Sequence, residues 1–151
     1  MLRAVRYPAF AIAMLAVSIA HADPEAETAA LLQRWAAAFN AGEVEQMLPL
    51  YAPDATLLGT GSPEMLSKEE GVRSYFARPF KRKYQVRMGG TVTTRLADRV
   101  LVVIGDFEFV GTRGDGSDFV TPSRYSFVLA KQGAEWRIVH HHSSPRPRPL
   151  H

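Results

Sequence analysis

A chain of 151 residues with 46% hydrophobic and 22% charged residues has the composition of one globular domain, which excludes a disordered or low-complexity polymer. It contains no cysteine, so it has neither disulfides nor thiolate metal ligands, and packing alone must stabilise it. The formal charge of +3 falls to +1 once Arg3 and Arg6 are set aside, which excludes the basic footprint of a nucleic-acid-binding domain.

Residues 1–22 read as a signal peptide. Arg3 and Arg6 form a positive start, Ala9 to Ala20 is an almost unbroken apolar run, and Ala20-His21-Ala22 supplies the small-x-small cleavage pattern. The run is short for a bilayer span. The expectation is cleavage after Ala22, a periplasmic or secreted product, and no membrane contact afterwards.

Residues 23–145 then form one domain. Asp23-Pro24-Glu25 opens a helix whose apolar face is Leu31, Leu32, Trp35, Ala38 and Phe39, and Gly42 suits its left-handed cap. Glu43 to Leu50 reads as a short second helix limited by Pro49 and Pro53. Ala55 to Leu58 reads as a short strand, and Gly59 to Leu66 as a loop. Ser67-Lys68-Glu69-Glu70 is a capping box for a third helix, with Val72, Tyr75, Phe76 and Phe80 as its buried stripe. The basic cluster Arg78, Lys81, Arg82, Lys83 and Arg87 reads as a solvated helix end favoured by the helix dipole.

From Tyr84 the period becomes alternating. Tyr84 to Leu96 is a strand with a bend or bulge at Gly89-Gly90. Arg99 to Gly111 is a second strand, with Leu101, Val103, Phe107 and Phe109 on one face and Val102, Ile104, Asp106 and Glu108 on the other. Thr112 to Asp118 is a hairpin loop; its Asp115-Gly116-Ser117-Asp118 is a turn lacking the ligands of a calcium loop. Arg124 to Leu129, a turn at Lys131 to Ala134, and Trp136 to Pro145 complete the sheet. Residues 146–151 form an extended Pro/Arg tail. Helices followed by a meander mean α+β: a cone-shaped curved antiparallel sheet of four long strands plus a short one, packed on three N-terminal helices. Such a sheet, curled around few helices, leaves an apolar hollow.

Three consecutive histidines on the last strand alternate, His140 and His142 on one side and His141 on the other. Histidine titrates near neutrality, so His140 and His142 are candidate general bases, with Arg124 as the polar neighbour. A metal is not expected, because no third ligand is fixed by spacing.

Leu32-Gln33-Arg34-Trp35-Ala36-Ala37-Ala38-Phe39-Asn40-Ala41-Gly42-Glu43 resembles the first helix of the nuclear transport factor 2-like superfamily. So do Tyr51-Ala52-Pro53-Asp54-Ala55-Thr56, Gly71-Val72-Arg73-Ser74-Tyr75-Phe76 and the closing Trp136-Arg137-Ile138-Val139-His140. That superfamily contains SnoaL-like proteins, ketosteroid isomerases and the association domain of calcium/calmodulin-dependent protein kinase II. Trp136 to Ser144 is most similar to the association domain and to the bacterial SgcJ/EcaC-like group. No kinase motif is present.

The resemblance implies a pocket lined by Trp35, Tyr75, Phe107, Tyr125 and Phe127, with His141, Ser143 and Arg124 as polar contacts. In ketosteroid isomerases a tyrosine donates to the oxyanion and an aspartate takes the proton. The matching positions here hold Trp35 and Gly59, so that chemistry does not transfer. The three arginines of the association-domain pocket fall on Phe107, Phe127 and Ser143, which makes acidic metabolites unexpected ligands.

Pairing Leu129 with Trp136 would put Phe127 beside Ile138, His140 and His142. The association-domain arrangement puts Phe127 with Ser143 instead, which needs one inserted residue. A bulge near His140 to His142 is therefore expected. The functional expectation is an exported, small-molecule-binding domain without a cofactor, pairing with itself through an outer face that carries Val102 and Ile104. The alternatives are a SnoaL-like acid/base enzyme on a hydrophobic molecule and an oligomerisation hub.

Overall fold

Asp23 accepts a hydrogen bond from the Glu25 backbone N–H at 3.0 Å, and Pro24 takes the first position of α1, Pro24–Ala41. Gly42, at φ 72°, closes the helix in the left-handed conformation that a Cβ disfavours. The computed structural model describes residues 23–81 and 84–147. The expected signal peptide (1–22), Arg82, Lys83 and residues 148–151 of the tail lie outside the described residues, as do the side chains of Pro79, Phe80 and Lys81. Among the described residues no helix is long and apolar enough to cross a membrane.

After α1 come α2 (Val44–Met47), a 3₁₀ turn (Leu48–Leu50), β1 (Tyr51–Leu58), β2 (Leu66–Ser67) and α3 (Lys68–Lys81). The long strands follow: β3 (Gln85–Ala97), β4 (Val100–Thr112), β5 (Asp118–Gln132) and β6 (Glu135–Pro145). The sheet has six strands in the order β2-β1-β6-β5-β4-β3. The fold class is the expected α+β, with three helices against a curved, unclosed sheet. The four long strands form the expected antiparallel meander. One correction concerns pairing: β1 runs parallel to β6, so the sheet is mixed.

Two strands are longer than the sequence pattern suggested. β1 starts at Tyr51, because Pro53 falls in the interval between Tyr51 and Thr56 where the ladder is interrupted and no N–H is required. β5 starts at Asp118, pairing continuously with β4 from Thr112 inward. Gly89-Gly90 does form a bulge, with the register shifting between Met88 and Thr91. The start of β3 is fastened to α1 by Asn40. Its amide donates to the Val86 carbonyl at 3.1 Å and accepts from the Val86 N–H at 2.7 Å, as a neighbouring strand would.

The core lies between α1, α3 and the inner sheet face. Trp35, 1% exposed, stands at its centre. Its ring lies 5.5 to 6.1 Å, centroid to centroid, from Phe39, Phe76, Phe107, Phe127 and His141.

Candidate functional site

The expected bulge sits at Val139. Leu129 pairs with Ile138 and Val128 with His140, so Val139 is the extra residue. Lys131, not Leu129, faces Trp136, because the hairpin turns tightly at Gly133 and Gln132 already pairs with Glu135. Beyond the bulge His141 faces Phe127 and Ser143 faces Tyr125, and all four are buried. One inserted residue therefore turns His141, not His140 or His142, toward the helices.

His141 is 1% exposed. Its Nδ1 lies 2.9 Å from the Tyr51 hydroxyl, which accepts from Trp35 Nε1 at 2.9 Å. Burial, reinforced by His140 and His142, lowers the His141 pKa to about 3, and burial raises Tyr51 well above the usual phenol range. Both groups are neutral at physiological pH. His141 Nδ1 is the one acceptor within reach of the Tyr51 proton among the described residues, so that proton is assigned to Nδ1, which leaves the imidazole proton on Nε2. That Nε2 is buried without a partner among the described residues.

His140 and His142 point to the outer face. His140 Nδ1 lies 2.7 Å from the Thr56 hydroxyl, and His142 is exposed. Arg124 is also exposed on that face and donates from Nε to Ser144 Oγ at 3.3 Å. Asp106, its cross-strand neighbour, pairs instead with Arg146 at 2.7 Å, and Glu108 pairs with Arg87 at 3.2 Å. Among the described residues no three His, Cys, Asp or Glu side chains are grouped to hold a metal.

The hollow lies elsewhere than expected. Trp35, Phe107, Tyr125, Phe127 and His141 are packed ring to ring, with centroid separations such as 4.5 Å for Phe127 and His141 and 5.3 Å for Phe107 and Tyr125. A cavity of about 690 Å³ opens beside Phe39 near the end of α1, and of the residues expected to line a pocket only Tyr75 borders it. Its other walls are Phe39, Thr60, Gly61, Arg78, Tyr84, Phe109, Arg113, Phe119 and Thr121. Phe109 continues the inward alternation of β4 beyond Phe107. Phe119 enters because β5 starts early and pairs it with Gly111, where a Cβ would come within 2.9 Å of its ring.

Gly59 explains the position of Tyr75. A Cβ at residue 59 would lie 2.1 Å from the Tyr75 ring and 2.5 Å from its hydroxyl. The phenol thus occupies the space that a side chain at 59 would take. Burial pushes the Tyr75 pKa up to about 12, with hydrogen bonds from Ser143 and the Thr60 backbone partly opposing it. Ser143 Oγ also accepts from the Thr60 N–H at 3.0 Å. At neutral pH Tyr75 is a hydrogen-bond donor and not a base.

Residues 29–148 match the family model described as SnoaL-like domain. Among curated proteins nothing matches. A candidate calcium/calmodulin-dependent protein kinase II association domain from Xanthomonas campestris is similar at 33% identity and TM-score 0.75, over 82% of this chain and 88% of that one. A protein with a cystatin-like fold from Caulobacter vibrioides shares 13% identity at TM-score 0.71, over 82% and 90% of the two chains. A candidate dehydratase of the nuclear transport factor 2-like family from Streptomyces avermitilis shares 14% at 0.73, over 83% and 98%. The last two likenesses concern the fold alone.

Proposed function

The chain belongs to the SnoaL-like domain family of the nuclear transport factor 2-like superfamily, and from that premise we propose that it is an exported, self-associating domain that binds a hydrophobic small molecule. The observation that carries this reading is the cavity of about 690 Å³ walled by Phe39, Tyr75, Tyr84, Phe109 and Phe119. Its size and aromatic lining suit a compact organic ligand. Export rests on the first 22 residues. Self-association is supported by the outer sheet face, where Val92 and Ile104, direct cross-strand partners, are 58% and 48% exposed.

Binding is favoured over histidine catalysis by the placement of the imidazoles. His140 and His142 lie across the sheet from the cavity, and His141 is sealed in the core with its Nδ1 already engaged. A general base has to reach the proton it takes.

The test is to purify the protein from its natural compartment, denature it, and identify released small molecules by mass spectrometry. A hydrophobic organic compound released from the native protein but not from a Phe109→Ala/Phe119→Ala variant is the expected result. The same compound from both would end the proposal. Native mass spectrometry of the intact protein separates a dimer from the larger ring that a hub would form.

A further inference from the structure

The walls of the cavity are aromatic, but neither of its ends is. At the rim stand Arg78, from α3, and Arg113, from the β4–β5 hairpin. Arg73, Arg87, Arg95 and Arg146 each meet a carboxylate at ion-pair distance. Neither Arg78 nor Arg113 has such a partner among the described residues. Arg113 is nevertheless held in place. Its guanidinium donates to Ser117 Oγ at 3.2 Å and to the Asp118 carbonyl at 2.9 Å, and lies 5.4 Å over the Phe119 ring. Two guanidiniums without an ion-pair partner among the described residues stand above an apolar wall and place positive charge at the entrance.

The inner end presents a different demand. Thr60 lines the cavity, and its Oγ1 is buried with no hydrogen-bond partner among the described residues. A buried hydroxyl left unpaired is costly, and a ligand oxygen there would relieve it. Tyr75, also on the cavity wall, stays protonated and can donate to the same oxygen.

Resting on the small-molecule reading above, we propose that the ligand is an aromatic carboxylate of about two rings, its carboxylate held by Arg78 and Arg113 and an oxygen at its far end meeting Thr60 Oγ1 and Tyr75. A guanidinium matches a carboxylate in geometry as well as charge, through parallel N–H donors. The expectation against acidic ligands rested on Phe107, Phe127 and Ser143, which replace inner-strand arginines. The cations at this rim come from a helix and a hairpin that those three positions do not sample.

The experiment is isothermal titration calorimetry of the purified protein with three probes: 6-hydroxy-2-naphthoate, its methyl ester, and 2-naphthoate. The hydroxynaphthoate binds about tenfold tighter than the neutral ester, the usual scale of one charge-assisted contact. Arg78→Gln/Arg113→Gln abolishes the preference for the acid over the ester. Both side chains are exposed, and an unchanged thermal midpoint verifies that the fold is intact. Thr60→Val/Tyr75→Phe removes the preference for the hydroxylated acid over 2-naphthoate and keeps the preference for acid over ester. The proposal is overturned if the wild type binds ester and acid equally, or if the double arginine variant still prefers the acid. Ester binding without an acid preference leaves the apolar pocket standing; binding of none of the three removes both readings.

Discussion

At the closed end of the sheet, Trp35 lies within 6.1 Å of the rings of Phe76, Phe107 and Phe127, and the four pack ring on ring. At the open end, Phe109, Phe119 and Tyr84 border a cavity of about 690 Å³. Phe39 belongs to both, 5.5 Å from Trp35 and 5.4 Å from Phe109. The two ends use the same residue types, so aromatic content does not decide which of them is hollow. Helix length does. Asn40 fixes the end of α1 beside Val86, the cross-strand partner of Phe109. The β4–β5 ribbon runs on to Thr112 and back from Asp118, so its last residues extend beyond the Val86–Phe109 pair beside which α1 is fastened.

The largest test of this contrast is Trp35→Ala. It removes the central ring and leaves the Tyr51 hydroxyl short of a donor, so it should cost about 3–5 kcal/mol in urea unfolding. A cost near 1 kcal/mol would mean that the closed end is not a packed core.

Gly59→Ala comes next. Its methyl would collide with the Tyr75 ring, and overpacking of this kind costs about 1–3 kcal/mol. A Gly59→Ala/Tyr75→Ala variant should recover part of that loss, and a double-mutant cycle with no coupling would refute the collision.

Acid supplies the third. Because the folded pKa of His141 is depressed to about 3 from 6.5, the unfolded chain binds this proton first. Its stabilising contribution is complete above pH 6.5 and is lost as pH falls toward 3. Between pH 7 and 5 the wild type should lose about 2 kcal/mol more than His141→Gln, at roughly 1.4 kcal/mol per pH unit. Equal slopes in chemical denaturation would show that the imidazole can be protonated in place.

Phe119→Ala should do least to stability, about 1 kcal/mol or less, because this ring is half-buried and packs on Tyr84 and Arg113. Affinity for the cavity's ligand should nevertheless fall about tenfold, as for a buried aromatic anchor. A large stability loss with unchanged binding would reverse the assignment of the two ends.

Much of this was legible in the residues. The helical stripes of α1 and α3, the alternation of the last four strands and the caps at Asp23 and Gly42 follow from local stereochemistry. The bulge beside the histidines could be inferred because two facts about Phe127 demanded opposite parities, and Val139 resolves them. Gly59 stood out as a missing side chain, but nothing along the chain said that the Tyr75 phenol fills the gap. Phe39 and Phe109 read as ordinary inward-facing apolar residues, with nothing to separate them from Phe107.

The sequence by itself determined which side chains face inward, since that depends only on the period of each element and one inserted residue. The tertiary structure alone decided which of those inward rings meet another ring and which meet empty space. That outcome depends on where α1 stops relative to the β4–β5 ribbon, and on two arginines 35 positions apart, Arg78 and Arg113, arriving at one rim. Local pattern carries no record of how far two packed layers overlap, because overlap is a distance between elements and not a property of either.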